Sequence, residues 1–174
     1  MKSRMILSAV GSDRPGLTQA IAEAVLAAGG NWLESHLSRL GGKYVGSVLV
    51  ELDANRLPAL EQAIRQVDAT GLQVALVPAG EEPAATGEAL RLELVGQDRP
   101  GIVREVTAVL SDLGVNIEDF VTSTQNSAWS GERLFRASAR LTLPADAPAE
   151  RVRAALEAIS GEIMVDFTIT GSGG

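Results

Sequence analysis

The residues with the most chemical potential come in one short string that occurs twice. Val10-Gly11-Ser12-Asp13-Arg14-Pro15-Gly16-Leu17 recurs as Val95-Gly96-Gln97-Asp98-Arg99-Pro100-Gly101-Ile102, 85 residues later. Each copy combines a carboxylate, a guanidinium and a Pro-Gly pair just ahead of a helical pattern. The start of a helix has N–H groups with no intrahelical partner and carries partial positive charge. A ligand carboxylate is attracted to such an end. Gly16 and Gly101 lack a Cβ, so a ligand can come close to the backbone there. Asp13 or Asp98 at the rim can hold an ammonium group. Further along, Asn31 and Asn116 keep the same 85-residue offset, and an amide can donate to a carboxylate or accept from an amine. A positive backbone end beside an acid suits a zwitterion, so a small α-amino acid is the expected ligand at one or both turns, with Leu17 and Ile102 as apolar neighbours. The alternative is purely structural: Asp13 and Asp98 as helix caps, Pro15 and Pro100 in the first helical turn, Asn31 and Asn116 as turn residues. Arg14 and Arg99 read as solvent-facing, or as partners for carboxylates of a neighbouring domain.

The elements that must hold these strings also repeat. A short apolar run precedes each one, Ile6 to Val10 and Leu90 to Val95. A helix follows. Leu17, Ala20, Ile21, Ala24, Val25 and Ala28 form its apolar stripe in the first copy; Ile102, Val106, Val109, Leu110 and Leu113 form it in the second. Gly29 and Gly114 are placed to end these helices. Next come paired strands, about Trp32–Arg39 with Tyr44–Leu52 and about Ile117–Thr124 with Leu134–Leu143. Leu40-Gly41-Gly42-Lys43 forms a tight turn in the first pair. Matching Tyr44 to Phe135 raises the offset to 91, so six residues around 126–131, Trp129 among them, are inserted in the second hairpin. Trp129 either covers the core or anchors a partner. Leu57, Leu60, Ile64 and Val67 mark a second helix in the first copy, and Val152, Ala155, Leu156 and Ile159 one in the second. Strands Leu72–Val77 and Ile163–Thr170 close the two copies.

The order β-α-β-β-α-β, read twice, predicts an α+β protein. It has two ferredoxin-like units, each an antiparallel four-stranded sheet with helices on one face. The expected boundaries are 1–78 and 89–170, with 79–88 as a linker rich in Pro, Gly, Ala and Glu. Units this small leave a sheet face or edge to be covered, so pairing between copies, and a homodimer, are expected.

A strand running into Gly-x-Asp-Arg-Pro-Gly-[Leu/Ile], then a helix ending in Gly-[Gly/Val]-Asn-[Trp/Ile], resembles the ACT domain, and does so in both halves. Two such domains filling a chain are similar to the tandem ACT proteins of the glycine cleavage system transcriptional repressor group. The resemblance implies amino-acid binding in the loop before the first helix of each unit, near domain–domain interfaces. It implies Asp13, Asn31, Asp98 and Asn116 as ligand positions. Some amino-acid-binding members carry a polar ring or amide two residues before the Asp; Gly11 and Gly96 stand there in this chain.

Composition narrows the rest. With 15 basic residues against 22 acidic ones and a net charge of −7, no basic stripe for nucleic acid or an anionic membrane surface emerges. The chain has no cysteine, which removes disulfides and thiolate chemistry and fits the cytoplasm. The apolar run Met5–Val10 is of strand length, too short to span a bilayer. His36 is the one histidine and falls in a strand with no partner motif, so no metal or cofactor is expected. No nucleophile–base pair can be written either. The expected role is regulatory rather than enzymatic: sensing a metabolite and contacting a protein, either a transcription factor, as in glycine cleavage regulation, or an enzyme of amino-acid or one-carbon metabolism. A ligand-free structural dimer is a further alternative.

Overall fold

A computed structural model describes residues 1–12, 14–68, 71–81, 86–127 and 131–169. The chain divides into two compact units, Met1–Glu82 and Pro83–Gly174. Among the described residues no helix is long and apolar enough to cross a membrane.

The first unit runs β1 (Lys2–Ser12), α1 (Leu17–Ala27), β2 (Asn31–Leu40), β3 (Lys43–Asp53), a 3₁₀ turn (Ala54–Arg56), α2 (Leu57–Asp68) and β4 (Leu72–Pro78). The second repeats the order: β5 (Glu88–Gln97), α3 (Ile102–Asp112), β6 (Asn116–Asn126), β7 (Arg133–Leu143), α4 (Ala149–Glu157) and β8 (Met164–Ile169). The sheets are ordered β2-β3-β1-β4 and β6-β7-β5-β8, antiparallel throughout. This is the expected ferredoxin-like α+β fold, twice.

Strand alternation decides which face is covered. Met5, Leu7 and Ala9 of β1 are buried with Val48, Val50 and Leu52 of β3. They pack under Leu17, Ile21 and Val25 of α1 and Leu60 and Ile64 of α2 in one core. In the second unit, Leu90, Leu92 and Leu94 with Phe135, Ala139 and Leu141 lie under Ile102, Val106 and Leu110 of α3 and Val152 and Leu156 of α4. Each fully buried Leu contributes about 1.5–3 kcal/mol by leaving water. The helical stripes read from the sequence are therefore the faces that bury.

Local chemistry ends α1 and α3. Gly29 and Gly114 take φ of 72° and 68°. Gly30 N–H donates to Val25 O, and Gly29 N–H to Leu26 O; Val115 and Gly114 repeat this with Leu110 and Ser111. These are the paired bonds of a glycine-terminated helix, which satisfy carbonyls that would otherwise lack donors. Gly41 and Gly42 both have positive φ, 57° and 76°, as a two-residue hairpin requires.

The periodicity draws β2 and β6 as straight strands, yet each carries a bulge. The register slips between Trp32 and Glu34, and between Ile117 and Asp119, leaving Leu33 and Glu118 as the extra residues. Leu33 is exposed. Glu118 accepts from Thr142 Oγ1 and lies 3.2 Å from Arg140 Nε. The inserted loop of the second hairpin includes Trp129, which lies outside the described residues.

Candidate functional site

The repeated string is built as a turn, not as a capped helix start. In the second unit Ile102 N–H donates to Arg99 O at 3.3 Å, and Gly101 between them has φ 90°, ψ −6°. Proline followed by glycine in that conformation is a type II turn: the ring presets φ at the first central residue, and glycine supplies positive φ at the second. Gly16 has φ 90°, ψ −2°, the same geometry. Pro15 and Pro100 therefore sit in the turn, and the helices open at Leu17 and Ile102 rather than at the prolines.

Among the described residues neither helix start carries a side-chain cap. The reading of Asp98 as a cap fails: its backbone N–H donates to Arg133 O at 2.9 Å, and its carboxylate lies 3.9 Å from Arg133 Nη1. Asp13 lies outside the described residues. The intrahelical ladder starts with Ala20 N–H on Gly16 O and Glu105 N–H on Gly101 O, so the N–H groups before these belong to the helix ends. A Cβ on Gly16 would meet nothing within 4 Å among the described residues. The glycine is needed for its backbone conformation, not by a neighbour's crowding.

Beneath the turns the position two residues before the Asp is closed. A Cβ on Gly11 would stand 2.7 Å from Leu72 Cδ1 and 2.9 Å from Gly71 O. One on Gly96 would stand 3.1 Å from Ile163 Cγ1. Residues at the start of β4 and ahead of β8 fill the space, which is why no polar side chain reaches the loop from there.

The walls of the two turns differ in a way the sequence pattern does not announce. In the first unit Thr18 Oγ1 and Tyr44 Oη share a hydrogen bond, which places two hydroxyls beside the start of α1. At the matching positions of the second unit stand Val103 and Phe135, the latter buried. Arg99 makes a bidentate pair with Glu105, Nη1 to Oε1 at 2.8 Å and Nη2 to Oε2 at 2.5 Å. This carboxylate partner comes from the helix that follows the turn, and the pair stays partly exposed to solvent, each side chain 38% accessible. The hydrogen bonds from Arg99 hold the Glu105 carboxyl below the usual carboxylate range; partial desolvation opposes this, and the charges of Arg99 and Arg104 reinforce it. The Arg99 guanidinium is raised in turn, chiefly by the same hydrogen bonds.

The asparagines do not join the turns of their own units. Asn31 opens β2 opposite Glu51, which pairs with Arg4 on β1. Ser12, at the turn, is eight residues further along β1, or about 26 Å at strand rise. Asn116 is likewise level with Thr142 and Ala89, while Gln97 borders the turn. The helix after each turn carries the chain back along the sheet, so turn and asparagine lie at opposite ends of one unit. A single amino acid cannot touch Gly16 and Asn31, or Gly101 and Asn116, of the same unit. His36 is exposed on β2, 2.9 Å from Glu34 Oε1. Among the described residues no group of three or more His, Cys, Asp or Glu gathers to hold a metal ion.

Two β-α-β-β-α-β units with a glycine turn before each first helix define a class, and comparison agrees. Residues 3–76 and residues 90–161 each match the ACT domain. The chain belongs to the ACT-domain family and carries two such domains in tandem. It is similar to the glycine cleavage system transcriptional repressor of Escherichia coli (strain K12), with 23% identity over 171 residues covering 95% of this chain and 88% of the relative. Among solved structures, a protein of Galdieria sulphuraria described as unknown matches with 30% identity and a TM-score of 0.77, covering 96% of this chain and 98% of the other. One provisionally described as a glycine cleavage system transcriptional repressor matches at TM-score 0.73 and 15% identity, over 98% and 99% of the two chains; at that identity it speaks to the fold alone.

Proposed function

We propose that this chain is a metabolite-sensing regulatory protein that takes a small α-amino acid at its glycine turns and acts by contacting another protein. The observation that carries the reading is the Gly16 turn: a helix end that no described side chain caps or crowds, with the Thr18 and Tyr44 hydroxyls alongside. Backbone N–H groups at a helix start attract a carboxylate. The hydroxyls can donate to it or accept from an amine. Asp13 and Asp98 are the proposed ammonium partners, and Leu17 and Ile102 the apolar neighbours. Asn31 and Asn116 are remote from the turns of their own units and take no part in this proposed site.

The likeness to a transcriptional repressor supports a transcription factor as the protein partner and glycine cleavage as the process, in the cytoplasm. The role is binding and signalling rather than catalysis. Calorimetry with the common α-amino acids, one at a time, tests the reading. Heat of binding with at least one is expected, lost in the Asp13→Ala, Asp98→Ala double variant. Absence of heat with every one of them on the wild type would remove the amino-acid reading.

A further inference from the structure

Strand alternation gives each sheet a second face, turned away from its helices, and the two units differ there. In the first unit Ile6, Leu49 and Val77 lie level on β1, β3 and β4, and Val10 and Val45 lie level two rows away. Ser8 and Ser47 form the row between. None of the five apolar residues belongs to the first core, and Val10 and Val77 are 49% and 48% exposed. At the positions of the second unit that match Ile6, Leu49 and Val45 stand Arg91, Arg140 and Arg136. Glu93 and Asp166 lie level on the row between these arginines. The second face is thus suited to water, whereas the first keeps apolar rows that gain by being covered.

The border of the first face indicates what covers it. Beyond Ile6 and Leu49 the two central strands carry opposite charges, Arg4 and Lys2 on β1 against Glu51 and Asp53 on β3, each base level with its acid. We propose that this face is the contact surface of a homodimer. Two copies stack sheet on sheet about a two-fold axis that runs along the midline between β1 and β3. Such an axis keeps every row and exchanges the two strands. Ile6 then faces Leu49 of the second copy, Val10 faces its Val45, Arg4 its Glu51 and Lys2 its Asp53, and each contact is made twice. Strands of the two copies stay aligned to within about 30°, with the sheets about 10 Å apart, the usual packing of two sheets. From Arg4 to Ser12 the face is about 26 Å long, and four strands make it about 19 Å wide. That is roughly 500 Å² per copy and roughly 1,000 Å² for the pair, the lower limit for a specific interface. The dimer is therefore reversible, with Kd in about the micromolar range.

The test is a charge exchange between two variants of the whole chain, read by sedimentation velocity across a concentration series. Arg4→Glu sets acid against acid at the two-fold contact, and Glu51→Arg sets base against base. Each alone should weaken self-association by about tenfold. Mixed in equal amounts, each supplies the charge that the other lacks, and association should return to within about threefold of wild type. Leu49→Asp should weaken the wild-type dimer by about a hundredfold or more, because the two-fold counts the loss twice. Val121→Asp, on the corresponding face of the second sheet, should leave it unchanged. Thermal melts by circular dichroism check that each variant folds. A wild type that stays monomeric up to about millimolar concentration would overturn the proposal. So would a folded Leu49→Asp that dimerises as tightly as wild type, or a Val121→Asp that weakens the dimer as much as Leu49→Asp does. A mixture that associates no better than its two components would overturn the axis, and with it the proposed pairing of Arg4 with Glu51 of the second copy.

Discussion

Replacing Gly16 gives a graded measure of how much the turn depends on its backbone. Gly16 has φ 90°, and among the described residues nothing stands within 4 Å of a Cβ built on it. An added side chain therefore meets no steric wall, and the cost is that of the left-handed conformation alone. For alanine that is about 1–2 kcal/mol. Asparagine tolerates the region through local hydrogen bonding and should cost less, while β-branched valine should cost more. For a unit of this size a loss of 1 kcal/mol lowers Tm by about 4–8 °C, so Gly16→Ala should lower it by roughly 5–15 °C. The chain has two tryptophans. In a Trp129→Phe background, fluorescence reports on Trp32 alone, which packs against the first core. Thermal unfolding followed at Trp32 should give stabilities in the order Gly, Asn, Ala, Val. An alanine variant as stable as glycine, or a valine variant no worse than asparagine, would refute the claim that positive φ at the turn is what requires glycine there.

Two further outcomes follow from close contacts. Gly46→Ala should cost about 3 kcal/mol or more, because φ is 152° and the new Cβ would stand 1.9 Å from His36 O and 2.8 Å from Leu37 Cα; Ala137→Gly, at the matching site of the second unit, should cost only about 1 kcal/mol, and denaturant unfolding of the two variants checks the contrast. Wild type should exceed Glu105→Gln in stability at neutral pH, and the gap should close under acid: a carboxyl lowered in the folded state contributes above its unfolded pKa and loses that contribution as pH falls through the folded one, so paired melts from pH 7 downward should converge at the acid end.

Much of the architecture was legible because it is written in short-range chemistry. The Pro-Gly turns, the glycines ending the helices and the 3.6-residue stripes each depend on residues a few positions apart, and the 85-residue offset shows the same short patterns written twice. The site was legible only as a backbone feature. The Arg99–Glu105 clamp forms because a type II turn folds the chain back on the first turn of α3; neither residue forms a recognisable motif with the other in the string. The Thr18–Tyr44 bond joins a helix to a hairpin 26 residues away, and nothing in the local pattern relates them.

From the sequence alone came the duplication, the order of strands and helices, and the composition of each turn, since duplicated strings and periodic stripes are properties of neighbours along the chain. Only the tertiary structure decided that each asparagine lies at the far end of its sheet from its turn, that Leu72 crowds out any side chain at Gly11, and that Glu105 pairs with Arg99 beside the second turn. Those outcomes depend on strand register and on which side chains meet across space, and packing sets both after the local elements have formed.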